Sequence, residues 1–136
     1  MIKAAFFDVD GTLLSYKTRQ VLPSAKAAIA KLQEQGILCV VATGRHISQL
    51  EKLPVADIPF DAFLTLNGQL MLDQDKNVLF SVPISGKARE FLIEKFNDHT
   101  YPAVMVEEKQ MYLNYVTDHV LTVNKIISIA IPPLRD

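Results

Sequence analysis

At 136 residues the chain has room for one domain core and little more, and an apolar content of 49% is enough to bury one. Charged residues make up 21%, and 14 basic against 15 acidic side chains leave a formal net charge of −1, which excludes bulk attraction to nucleic acid or to an anionic membrane surface. The single cysteine, Cys39, excludes an intrachain disulfide; no apolar stretch approaches the ~20 residues of a membrane helix and no signal-peptide pattern precedes Asp8, so a cytoplasmic location is expected.

Residues 1–7 read as a short buried strand, because Ile2, Ala4, Ala5, Phe6 and Phe7 form a nearly continuous apolar run. It ends in the polar turn Asp8-Val9-Asp10-Gly11-Thr12, and residues 13–22 read as irregular or a small hairpin. Pro23-Ser24 opens a helix to about Gln35, closed by Gly36. Residues 37–42 are a second buried strand, in which Cys39 reads as an inert core thiol. Thr43-Gly44-Arg45 and a helix over roughly 46–53 follow, and this strand–turn–helix order predicts a parallel sheet with right-handed crossovers. A third strand over 60–66 meets the turn pair Asn67-Gly68, and residues 70–72 and 78–80 flank a hairpin turn. The aromatics Phe60, Phe63 and Phe80 read as core.

Beyond Pro83 the pattern changes to a helix over about 86–97, strands over 103–107 and 111–115, a helix over 118–126 and a further strand over 127–131. The expected fold class is therefore α/β: a parallel-sheet part over 1–82 and a separate α+β segment over 83–136. The apolar C-terminal segment reads as a core element in want of a partner, so self-association through it is expected.

Asp8 and Asp10 lie where the first strand runs into its loop, at the rim where open α/β sheets bind ligands. Their i, i+2 spacing points both carboxylates to one side in extended backbone, and two such charges repel unless a cation joins them, which suits Mg²⁺. Gly11 allows a tight turn that exposes N–H groups to an anion. Asp-x-Asp-Gly is equally good turn chemistry. Thr43-Gly44-Arg45 follows the next strand at the same rim, where a hydroxyl and backbone N–H groups ahead of a helix suit a phosphate oxygen, or serve as a plain N-cap. Together the two loops would bring a carboxylate nucleophile, a metal and a phosphate cradle to one place, the set that phosphoryl transfer through an aspartyl-phosphate needs. His46, His99 and His119 lack metal-ligand spacing and read as surface or capping residues.

Phe6-Phe7-Asp8-Val9-Asp10-Gly11-Thr12-Leu13-Leu14 resembles the opening signature of haloacid dehalogenase superfamily phosphatases. Val40-Val41-Ala42-Thr43-Gly44-Arg45 resembles the second motif of the Cof-type sugar-phosphatase branch, and Leu66-Asn67-Gly68 fits that branch too. The resemblance implies the N-terminal part of a Rossmann-like core over 1–82 and a partial α/β cap over 83–136. It further implies an Mg²⁺-dependent phosphohydrolase of small phosphorylated metabolites. Asp8 would be the nucleophile and a metal ligand. Asp10 would be the acid and base, with its carbonyl on the metal. Gly11, Thr12, Thr43, Gly44, Arg45 and Asn67 would hold phosphate and substrate.

The family's third-motif lysine and acidic fourth motif have no match here, since Asp118 and Asp136 are isolated and Lys87, Lys95, Lys109 and Lys125 fall in the cap segment. The chain therefore reads as stopping within the cap, with little or no activity alone. Three other readings compete: a non-catalytic phosphate-binding or interaction protein with the same front half, a glycosyltransferase, and a phospho-receiver. The last two are disfavoured by an Asp-x-Asp so close to the start of the chain.

Overall fold

The computed structural model describes residues 1–127 and 129–135 and divides into two compact units, Met1–Val82 and Pro83–Asp136. The first unit runs β1 (Ala4–Phe7), α1 (Pro23–Glu34), β2 (Leu38–Ala42), α2 (Ile47–Leu50), a 3-10 turn (Pro54–Asp57), β3 (Ala62–Thr65), a second 3-10 turn (Leu66–Gly68), β4 (Leu70–Asp73) and β5 (Val78–Ser81). The sheet order is β1-β2-β3-β4-β5. β1, β2 and β3 are parallel, with Phe7 opposite Val41 and Val41 opposite Phe63, while β4 and β5 complete the sheet as an antiparallel hairpin. This register brings the ends of β1 and β2 to one rim.

Val9, Ile29, Cys39, Val41, Leu50, Phe60 and Leu72 are among the buried residues that fill the core. Asp61 ties three segments together: its Oδ2 accepts the Cys39 N–H at 2.8 Å and the Gln33 side-chain amide at 3.1 Å. Cys39 is fully buried, and desolvation first, with the Asp61 charge second, raises its thiol pKa.

The structure corrects several expectations. β1 is an edge strand, not a buried one: Ile2 and Phe6 are 73% and 61% exposed, because only β2 lies beside it among the described residues. Phe60 and Phe63 are core, but Phe80 sits on the outer strand β5 and is exposed. The helix expected over 46–53 is the single turn α2, because Pro54 drives Leu53 into extended backbone (φ −112°, ψ 155°).

In the second unit α3 (Gly86–Asn97) is followed by the antiparallel pair β6 (Val104–Val106) and β7 (Met111–Leu113), then α4 (Asp118–Ile127). Asn114 is buried and satisfied on both sides of its amide. Its Oδ1 accepts from the backbone of Ala103 and Tyr115, and its Nδ2 donates to the carbonyls of Phe96 and Tyr101. Arg135 pairs with Glu107. The strand expected over 127–131 does not form as such: Ile127 ends α4, residues 129–131 are irregular, and Ser128 lies outside the described residues, as does Asp136. Leu134 instead bridges Leu113.

Candidate active site

β1 delivers Asp8 to an exposed position at its end, while the next residue, Val9, is fully buried and anchors the loop in the core. The chain then turns back sharply. The Gly11 N–H donates to the Leu14 carbonyl at 2.9 Å and the Thr12 N–H to the Val9 carbonyl at 3.3 Å, so at these two residues the backbone donors build the turn. Gly11 has φ +80°, and a Cβ there would lie 2.4 Å from Cε2 of Tyr16. Residues 14–21 close into a small loop: Leu14 bridges Val21, the Ser15 N–H donates to the Gln20 carbonyl, and Ser15 Oγ accepts from the backbone of Lys17 and Thr18.

The loop after β2 meets this turn through Arg45. Its Nε donates to Asp10 Oδ2 at 2.6 Å and its Nη2 to Asp10 Oδ1 at 2.8 Å, a bidentate, charge-assisted pair. The side chains are 13% and 28% exposed, so the pair is partly shielded from water. The Arg45 hydrogen bond is the main cause of a lowered Asp10 carboxyl pKa, opposed by desolvation and aided by the charges of Arg45 and Arg19. A guanidinium thus engages the Asp10 carboxylate of the acidic pair.

Thr43 is buried; its N–H donates to the Leu64 carbonyl, and its Oγ1 accepts the Arg45 N–H at 3.1 Å, which leaves the hydroxyl hydrogen to donate elsewhere. The turn after β3 is stitched to the same loop, with Asn67 N–H to the Thr43 carbonyl at 3.2 Å and Leu66 N–H to the Arg45 carbonyl at 3.3 Å. Asn67 takes a left-handed conformation (φ 55°), and its Oδ1 would sit 2.9 Å from a Cβ on Gly44, so a larger residue there would push the Asn67 side chain aside. The short α2 contributes no free N-terminus. His46 is buried and caps it, its Nδ1 accepting the Ser48 N–H, while the His46 N–H donates to Gln49 Oε1.

The structure therefore unites Asp10 with Arg45, and Thr43 and Gly44 with Asn67, and it leaves Asp8 exposed at the same rim. Reasoning from the sequence missed Tyr16, which covers Gly11, and Arg19, whose charge acts on Asp10. No motif marks either residue; the one available signal was a glycine-enforced turn that folds the following loop back over itself. A cavity of about 390 Å³ elsewhere in the unit is lined by Val41, Ile47, Phe60, Phe63, Asp75 and Lys76, among others. None of the candidate catalytic, phosphate-binding or metal residues read from the sequence (Asp8, Asp10, Gly11, Thr12, Thr43, Gly44, Arg45 and Asn67) lines it, so its size does not make it the site.

Among the described residues no group of three or more His, Cys, Asp or Glu could hold a metal. Mg²⁺ asks for less, since it keeps most of its waters and binds through one or two protein carboxylates. The exposed Asp8 carboxylate fits that demand, whereas the Asp10 carboxylate is engaged by Arg45 and leaves its main-chain carbonyl as the second donor.

Residues 5–128 match the family model for haloacid dehalogenase-like hydrolases. The chain is 34% identical over 122 residues to pyridoxal phosphate phosphatase YbhA of Escherichia coli, a match covering 84% of this chain and 42% of that protein. It is 29% identical over 99 residues to the HMP-PP phosphatase of Cronobacter sakazakii, covering 72% of this chain and 36% of that one. Among solved structures, BT1666 of Bacteroides thetaiotaomicron, a phosphatase of that superfamily, superposes with a TM-score of 0.77 at 31% identity, covering 100% of this chain and 50% of its own. The subclass IIB sugar phosphatase BT4131 gives 0.71 at 24% identity over 98% of this chain and 52% of its own, a likeness of fold. The chain thus spans about half the length, or less, of these relatives.

Proposed function

Because the chain belongs to the haloacid dehalogenase-like hydrolase family, we propose that it carries the nucleophile half of an Mg²⁺-dependent phosphohydrolase of small phosphorylated metabolites. The observation that carries this reading is the Asp10–Arg45 pair beside an exposed Asp8. Two carboxylates two residues apart are placed in unlike surroundings, and unlike roles follow from that.

Asp8, open to solvent at the strand end, attacks phosphorus and takes the phosphoryl group as an acyl phosphate. Asp10 is read as the acid–base group, giving a proton to the leaving alcohol and later removing one from the attacking water; because the Arg45 pair favours its ionised form, the acid step requires that pair to loosen and the carboxyl to be protonated first. Arg45 orients it and fixes where its oxygens lie. Thr43 donates its free hydroxyl hydrogen to a phosphoryl oxygen, with the Gly44 N–H alongside. Asn67 holds the Gly44 loop by close contact and backbone stitching. Gly11 and Thr12 shape the loop. Mg²⁺, when bound, screens the charge between phosphoryl group and nucleophile, and Asp8 together with the Asp10 carbonyl would hold it. Residues 83–136 are read as part of a Cof-type cap, the segment expected to select substrate. The named substrates of the relatives, pyridoxal phosphate and HMP-PP, are candidates for this protein's substrate.

The motifs of the family that bring a lysine and further carboxylates have no counterpart among these 136 residues, so turnover by this chain alone is expected to be very low. Binding is the decisive readout. Calorimetry with orthophosphate in Mg²⁺ should show metal-dependent binding that Asp8→Asn abolishes, while circular dichroism shows the fold intact. Metal-independent binding, or binding that Asp8→Asn leaves unchanged, would overturn the reading.

A further inference from the structure

We propose that Tyr16 is a specificity residue whose ring forms the first wall met by the alcohol part of the substrate, and that it selects phosphate esters carrying a planar ring. This inference rests on the phosphohydrolase reading and extends it to the class of alcohol.

The placement is built by the chain. A Cβ at Gly11 would lie 2.4, 3.1 and 3.2 Å from Cε2, Cζ and Cδ2 of Tyr16, so the ring edge rests on the bare Cα of Gly11. Gly11 directly follows Asp10, so the ring stands one residue along the turn from the carboxyl read as the acid–base group. A single exposed aromatic needs no explanation on its own. Tyr16 differs in that its perch is fixed. Leu14 and Val21 are buried and bridged beneath the loop, the Arg19 N–H donates to the Ser15 carbonyl at 2.9 Å, and Ser15 Oγ accepts from Lys17 and Thr18. Tyr16 is thereby held at the rim while remaining 69% exposed.

A rigid aromatic face beside a phosphoryl site rewards a flat, polarisable group, because ring stacking adds to the area buried, whereas an aliphatic polyol stays better solvated in water.

The test compares phenyl phosphate, glycerol 3-phosphate and orthophosphate by calorimetry in Mg²⁺, using the chain, Tyr16→Phe and Tyr16→Ala. The expected result is that the chain prefers phenyl phosphate over glycerol 3-phosphate by about three- to tenfold, the range aromatic pairs span. Tyr16→Phe should keep that ratio and Tyr16→Ala should bring it close to one. A ratio near one in the unmutated chain, a ratio that survives Tyr16→Ala, or one lost in Tyr16→Phe would each overturn the inference while leaving the phosphohydrolase reading in place. Failure of all three probes to bind would overturn both.

Discussion

Arg45 holds Asp10 by two hydrogen bonds of 2.6 and 2.8 Å, and both groups belong to loops at the same rim of the sheet. The arrangement makes the Asp10 carboxylate, proposed above as the acid–base group, a structural fastener between the end of β1 and the end of β2. Removing the guanidinium should therefore be felt in stability as well as in chemistry.

The sign follows from the lowered Asp10 pKa. A carboxyl whose pKa is lower folded than unfolded adds stability that is fully present above the unfolded value of about 3.9 and is lost as pH falls through the folded value. Arg45→Gln should cost about 1–2 kcal/mol at pH 7, a charge-assisted pair discounted for partial exposure. Urea denaturation should show that difference shrinking as pH drops below 4. A constant difference down to pH 2 would mean that the pair contributes nothing through ionisation.

Gly11→Ala should destabilise on two separate grounds, the left-handed φ of +80° and the 2.4 Å approach to Tyr16. Strain of this kind costs about 1–3 kcal/mol. The double variant Gly11→Ala with Tyr16→Ala should recover part of the loss, because removing the ring relieves the contact and leaves the backbone strain. Thermal melts of the pair of variants measure both parts.

Asp61→Ala should lose about 1–3 kcal/mol, since a partly buried carboxylate oxygen no longer accepts from Cys39 N–H and Gln33. The same variant should speed alkylation of the buried Cys39 by local opening, which a native-state thiol titration would record.

In the second unit, Lys95 and the Thr100 hydroxyl and N–H hold Asp98 down at about 2, with Lys95 the largest cause. Carboxyl NMR titration should find Lys95→Gln raising the Asp98 value toward the ordinary range. The pair's share of stability is present above the unfolded pKa and disappears as pH falls towards 2.

Much of the first unit was legible because each signal had one local cause. Pro23 at the helix start, the apolar run of 38–42, and the turn pair Asn67-Gly68 all act within a few residues. Asp8, Asp10 and Thr43 could be placed at one rim from parallel topology alone. What the sequence left hidden was pairing at long range. Nothing local says that Arg45 would reach across 35 positions to Asp10, or that Tyr16 would lie on Gly11. Exposure was hidden for the same reason. Phe6 and Phe80 have core-like composition, and only the order of strands shows them to be on the outside.

Among the described residues β1 pairs with β2 alone, and this has a consequence for how Asp8 is held. In a parallel ladder alternate peptide groups point to opposite sides, so half of those in β1 face away from β2. They should exchange hydrogen with solvent early, well ahead of β2, which is bonded on both flanks. Asp8 thus stands at the end of a spring clamped along one side. Its stiffness, and with it the position of the Asp8 carboxylate, is set among the described residues by the ladder on the β2 side.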